Sequence, residues 1–410
     1  MKRAMVFSAA LLVVPMLGFA QQAYDAQEDT SFTGHTVKIM NFVAADFYKQ
    51  NDGSGQNFCY SSFEGFKNIS MLYSATKKGS EQNFAKAFDI KYDVNTYKNL
   101  YGKYNTDIEN RLKESGSYAS QSMFWIHDYF GLNTFYERNF SSNFGNVVLR
   151  NSEYIVGRKL KTDSLQISVN NVISDFDYPD NFESVLSDTN SVMLTGISAF
   201  NGKFKYSFSE KYDAPFYLGS LFDKTEDVTY VCHTDSFRCA QSTHMDVVEI
   251  PYTADGLSLL MIRPNSVEFT KYMADEVNVD NILFWISSAT NRKVQVALPT
   301  ISLSSCNLLT DKIRELVPIL FVHRGADLTR LVRTCSYMTD IAVFSQFSMG
   351  ESAKTASVVS HGKDNVPAVA DQIPVLAFNR PFAFVLFDKN SGAILNIGKV
   401  ANPLQSRQSK

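Results

Sequence analysis

Six histidines and five cysteines are the side chains best suited to chemistry in this 410-residue sequence. The histidines are His35, His127, His233, His244, His323 and His361, and of these only His233 has a cysteine within ligand-like spacing, the adjacent Cys232. Neighbours on a strand point to opposite faces, so that pair makes a poor chelate. There is no G-x-S-x-G elbow, Walker-type loop, G-x-G-x-x-G, H-E-x-x-H or C-x-x-C. No catalytic residue, metal site or cofactor is therefore assigned. The acid-rich run from Asp223 to Asp227 reads as a solvated turn.

The cysteines are Cys59, Cys232, Cys239, Cys306 and Cys335, an odd number, so no disulfide framework accounts for all of them. Cys232 and Cys239 flank His233-Thr234-Asp235-Ser236 in a strand-turn-strand pattern. Either they bridge across a hairpin or they are two independent buried thiols.

Lys2 and Arg3 precede an apolar run ending at Leu17, then Gly18-Phe19-Ala20 and the polar Gln21. That architecture predicts a secretory signal peptide over residues 1–20, with cleavage after Ala20 and a single domain over 21–410. No later stretch is apolar enough to predict a membrane span. Asn68-Ile69-Ser70 and Asn139-Phe140-Ser141 match the N-glycosylation acceptor pattern. Asn139 is the preferred acceptor, because Asn68 falls in a segment with the periodicity of a buried helix. A net charge of -3 gives no electrostatic reason to expect a nucleic-acid partner.

Any site must be positioned by the helices and strands the rest of the sequence predicts. With 45% hydrophobic residues, including 32 Phe, the chain can fill one large core. Val37, Met40, Val43, Ala44 and Phe47 recur at helical spacing, and Asp52-Gly53 closes that helix. Asn57–Tyr60 reads as a strand and Ser61 as the opening of a second helix; Val169, Val172 and Ile173 mark another. From Val228 onward strands dominate, among them 343–349, 383–388 and 393–400, the last two joined by a turn at 389–392. Early helices and late hairpins predict a mixed α+β domain.

Between the strand ending at Met349 and the short run Val375–Phe378 lies a small, polar segment, Gly350 to Pro374. A loop of that length inside a compact domain is usually functional, and strands at both ends would fix it for display.

The C-terminal region carries a resemblance to the serpin family. It lies in Phe378-Asn379-Arg380-Pro381-Phe382, Phe384-Val385-Leu386, Gly392-Ala393-Ile394-Leu395 and Gly398 to Pro403, with Asn396 where an aromatic is usual. Matches in the same order occur at Asn57–Ser61, Phe200–Phe204 with Phe208, Val248–Tyr252, Leu257–Pro264, Lys293–Pro299 and Gly325–Leu328. The resemblance covers about Thr36 to Pro403. It implies the serpin fold: three β-sheets, eight or nine helices and an exposed reactive loop at about 350–377. It also implies a monomer that is not an enzyme, inhibiting a serine (or cysteine) protease by letting the loop be cleaved and inserted into the central sheet.

Two registers place the hinge. Counting forward puts Glu351 at the hinge acid, Ala353 at the usual glycine and Lys354 at the first inserting position, where a small neutral residue is usual. Ala356 then follows facing inward, and the scissile bond is Pro367-Ala368. Counting back from Phe378 puts Ser357 at the first inserting position and the scissile bond at Ala370-Asp371. The second bond is preferred, because proline is a poor residue to cleave after and alanine suits an elastase-like pocket. Beneath the central sheet the family usually places a hydrogen-bonded Ser, Asn and His. The matching positions are Glu64, Gly196 and Val343, with Ser61 retained, so that polar cluster is either lost or rebuilt. Two functions follow: an extracellular inhibitor of a serine protease, weakened by Lys354, or a non-inhibitory binding or carrier protein on the same scaffold.

Overall fold

The computed structural model describes residues 31–53, 55–126, 130–151, 158–174, 176, 178, 191–218, 224–334, 336–349 and 373–405. The expected signal peptide and most of the expected display loop lie outside them.

Helices gather in the first half: α1 (Phe32–Asp52), α2 (Ser62–Ala75), α3 (Lys78–Ala87), α4 (Val94–Glu114), α5 (Thr134–Phe144) and α6 (Arg158–Asn170). Three shorter ones follow, α7 (Met273–Glu276), α8 (Val279–Ser288) and α9 (Thr310–Leu316). The strands are β1 (Phe58–Tyr60), β2 (Gly116–Ile126), β3 (Val147–Asn151), β4 (Val192–Gly202), β5 (Glu210–Leu218), β6 (Lys224–Gln241) and β7 (Met245–Pro251). Then come β8 (Leu257–Pro264), β9 (Thr290–Pro299), β10 (Ser302–Leu308), β11 (Met338–Ser348), β12 (Val375–Ala377), β13 (Phe382–Asp388) and β14 (Ala393–Val400).

A five-stranded sheet runs β10-β11-β4-β2-β3. Strand alternation gives it two apolar faces. Met123, Trp125, Met193, Ile197 and Phe344 point outward under Leu165 and Val169 of α6. Phe124, Leu194, Val343 and Phe347 point into the main core. Both faces are covered, so β11 is buried along nearly its whole length. Each large apolar side chain so buried contributes roughly 1.5–3 kcal/mol.

The other nine strands form one hydrogen-bonded surface, β1-β14-β13-β8-β7-β6-β9-β12 with β5 on β6. Two of the three expected sheets meet here because both use β6. Its last residues pair with β7 and its longer part with β5 and β9. This corrects two local readings. Glu226 and Asp227 lie within β6 rather than in a turn. Cys232 and Cys239 sit on the same continuous strand, opposite Ala297 and Thr290 of β9. Their Cα atoms are roughly 23 Å apart at the usual rise of a strand, far beyond disulfide reach. Both thiols are free, as are Cys59 and Cys306.

Polar contacts tie the first helix to the last hairpin. The Asn41 amide donates to Gly392 O at 2.8 Å and its oxygen accepts from Ile394 N at 2.7 Å. The Lys399 ammonium meets the Asp52 carboxylate at 2.8 Å, both largely buried. Residues 41 and 52 of α1 thereby locate β14 and the β13–β14 turn.

Candidate functional site

The two ends of the display segment are held by different sheets. On the upstream side β11 is an inner strand of the five-stranded sheet, paired antiparallel to β10 from Ser302↔Ser348 to Leu308↔Ala342. Met349 N donates to Ile301 O at 3.2 Å, and the hydroxyls of Ser302 and Ser348 share a hydrogen bond of 2.9 Å. On the downstream side Gln295 N donates to Pro374 O at 2.9 Å. β12 then adds in parallel to β9 as the outermost strand of the nine-stranded surface, Val375↔Gln295 to Ala377↔Ala297. Arg263 of β8 clamps it, donating to Ala377 O while its other guanidinium nitrogen meets Asp246 at 3.1 Å.

The intervening residues Gly350 to Gln372 lie outside the described set. With them go the hinge positions Glu351, Ala353, Lys354, Ala356 and Ser357 and the scissile candidates Pro367, Ala368, Ala370 and Asp371.

β11 continues directly into this segment, and its other neighbour is β4. The two pair in parallel from Ile341↔Leu194 to Ser348↔Asn201. No strand lies between them. A segment that prolonged β11 and folded back alongside it would have to part this seam.

Helix α2 lies directly beneath. Ser61 caps it, accepting from Glu64 N at 3.3 Å, which is the physical content of the expected helix start. Every residue of α2 is buried, because it is wedged among β4, β14, β2, β11 and α4. Glu64 and Asn68, one turn apart, both face Gly196 of β4. A β-carbon there would stand 2.8 Å from Glu64 Cγ and 2.9 Å from Asn68 Nδ2. The Asn68 amide donates to Ala342 O of β11 at 3.4 Å. This helix therefore touches both strands of the seam.

The polar cluster expected at Glu64, Gly196 and Val343 is rebuilt. Ser122 of β2 donates to Glu64 Oε1 at 2.6 Å, and the Lys67 ammonium stands 3.6 Å from Glu64 Oε2. Lys67 also reaches Glu109 of α4 at 3.2 Å and Ser120 at 3.4 Å. Lys113 closes on the far oxygen of Glu109 at 3.4 Å. Ser61 N in turn donates to Ser345 Oγ of β11 at 3.0 Å. Burial drives the Glu64 carboxyl above its ordinary value, a rise that the nearby Lys67 charge and the Ser122 hydrogen bond offset only in part. Lys67, Glu109 and Ser122 were not singled out by the sequence. The available signal was an acid and a base three residues apart in an otherwise uncharged helix.

The glycosylation candidates separate. Asn68 has no exposed surface, so it cannot carry a glycan. Asn139 falls within α5, and its side chain is outside the described residues. The thiols are poor nucleophiles. Burial pushes Cys59 and Cys306 up to about 12, while burial and the adjacent Glu210 push Cys232 up to about 11.

The described architecture fixes Met349 beside a closed parallel seam in one sheet and Pro374 at the edge of another. The profile of the serpin (serine protease inhibitor) family matches residues 38–403, and the chain belongs to that family. Human serpin B11 is 24% identical over 234 residues, covering 54% of this chain and 58% of the relative. A serine protease inhibitor of Cyanea capillata is 22% identical over 224 residues, covering 53% and 59%. The match thus spans little more than half the length of these curated relatives. Among solved structures, native protease nexin-1 with heparin superposes with a TM-score of 0.74 at 17% identity, over 90% of this chain and 100% of that one. At that identity the likeness shows the fold.

Proposed function

We propose that the chain is a secreted inhibitor of an extracellular serine endopeptidase, with residues 350–374 as bait. The observation that carries this reading is the placement of the loop ends: one prolongs β11 at a closed seam, the other is the outermost strand of a separate surface. The secreted compartment is supported by the composition of Lys2 to Ala20.

In the proposed reaction the protease's serine hydroxyl attacks the Ala370 carbonyl. The Ala370–Asp371 C–N bond breaks, the Asp371 amine leaves with a proton, and Ala370 remains as an ester on the enzyme. The loop upstream of the cut then continues β11 by folding back between β11 and β4, carrying the acyl-enzyme with it. The closed seam makes the starting form a kinetic state, held by the barrier to opening.

A second reading, a binding or carrier protein on the same scaffold, is favoured by one observation, Lys354 at the first inserting position in the forward register. Burying an unpaired ammonium there would cost several kcal/mol, on the order of the penalty for any unpaired buried ion. Incubation with a panel of serine endopeptidases followed by denaturing electrophoresis separates the two. A covalent complex supports inhibition; cleavage without complex by every protease supports the carrier reading.

A further inference from the structure

The charge network beneath the seam goes beyond what a structural ion pair requires. Glu64 and Lys67 have no exposed surface and Glu109 very little, so two carboxyls share one fully buried ammonium, and the half-exposed Lys113 reaches Glu109 alone. Lys67 stands nearer to Glu109, at 3.2 Å, than to Glu64, at 3.6 Å, and the latter distance is too long for a hydrogen bond. Glu64 Oε2, Asn68 Oδ1 and the Tyr101 hydroxyl, all buried, have no hydrogen-bond partner among the described residues. The titratable groups facing Glu64 are Lys67 on its own helix, Glu109 and Tyr101 of α4, and Tyr118 of β2. Tyr60 of β1 comes up against the adjacent Gly65. Lys113 reaches the network only through Glu109. Of β4 and β11, Gly196 stands against Glu64 and Val343 lies in the same core, while Ala342 shares the opposite face with Phe344.

We propose that Glu64 is a pH-sensitive latch on the β4–β11 seam, holding its proton more tightly in the closed, water-free network than when the seam opens and water reaches it. Its use in admitting the loop rests on the inhibitor reading; the latch itself is a property of the closed sheet. A closed form that holds a proton which the open form releases is favoured by acid. Below the ordinary glutamate value of 4.5 both forms are protonated and opening is insensitive to pH. Above it, opening becomes easier as pH rises, until the closed form also ionises.

Hydrogen exchange read by mass spectrometry, corrected for the intrinsic rate at each pH, reports seam opening without any protease. Peptides covering β4 and β11 should lose protection by about tenfold or more from about pH 4.5 to about pH 7.5, while those covering β13 and β14 stay level. Glu64→Gln, neutral at every pH, should hold the wild-type acid-end protection throughout. A level profile in the wild type overturns the proposal even if the variant does not fold. So does an equal loss in β13 and β14, or a wild-type slope retained by Glu64→Gln. A chain that never traps a protease would still show the latch, and one that traps without the slope would lose the latch alone.

Discussion

Gly196 of β4 and Glu64 of α2 share a space that only a glycine leaves open, since a β-carbon at 196 would lie 2.8 Å from Glu64 Cγ. The paired strands β4 and β11, which any inserting strand would have to part, are thus fitted directly onto a buried helix face. Gly196→Ala should destabilise the protein by about 1–3 kcal/mol through overpacking. In a Glu64→Ala background the same substitution should cost measurably less. A double-mutant cycle in urea checks this, and additive losses would contradict the fitted pair.

Removing the cation of the network should be worse than removing an acid. Lys67→Met removes the buried ammonium from between Glu64 and Glu109 and leaves only the half-exposed Lys113 beside Glu109, so about 3–5 kcal/mol of stability should be lost near neutral pH. The loss should shrink as pH falls, because protonating either carboxyl relieves the uncompensated charge. Denaturation midpoints of variant and wild type at acidic and neutral pH test the sign, and a deficit that grows on acidification would contradict it.

Much of the framework was legible in the sequence where periodicity and local chemistry agree. Ser61 opens α2 as a helix cap, Gly53 closes α1, and the β13–β14 turn falls at the predicted residues. The misread stretch was β6. His233 to Ser236 contains turn-forming residues, but pairing opposite Val296 to Lys293 of β9 keeps the strand straight. Tertiary pairing there overrides local preference. The Glu64 network was legible only in outline. Its partners come from three separate elements, and α2, buried all round, has no apolar stripe to mark which residues face the sheet.

The absence of a Cys232–Cys239 bridge has a direct consequence. Alkylation under denaturing conditions without reductant should label Cys59, Cys232, Cys239 and Cys306, and reductant should leave the melting temperature unchanged. A tryptic peptide pair joined through Cys232 and Cys239 would contradict the continuous β6.

Replacing Lys354 with Thr should raise the fraction of protease encounters that end in a covalent complex, because a neutral side chain enters the sheet without stranding a charge. Densitometry of the complex and cleaved bands gives that fraction for both proteins. An equal fraction would place Ser357, not Lys354, at the first inserting position.

In the proposed mechanism the closed β4–β11 seam takes the cleaved loop as a new strand. The melting temperature of protein nicked once within residues 350–374 tests it most directly. Insertion converts a kinetically held sheet into a fully paired one, so the nicked protein should melt above the intact protein, and further above it in Lys354→Thr. A nicked protein that melts at or below the intact one in both backgrounds would contradict insertion.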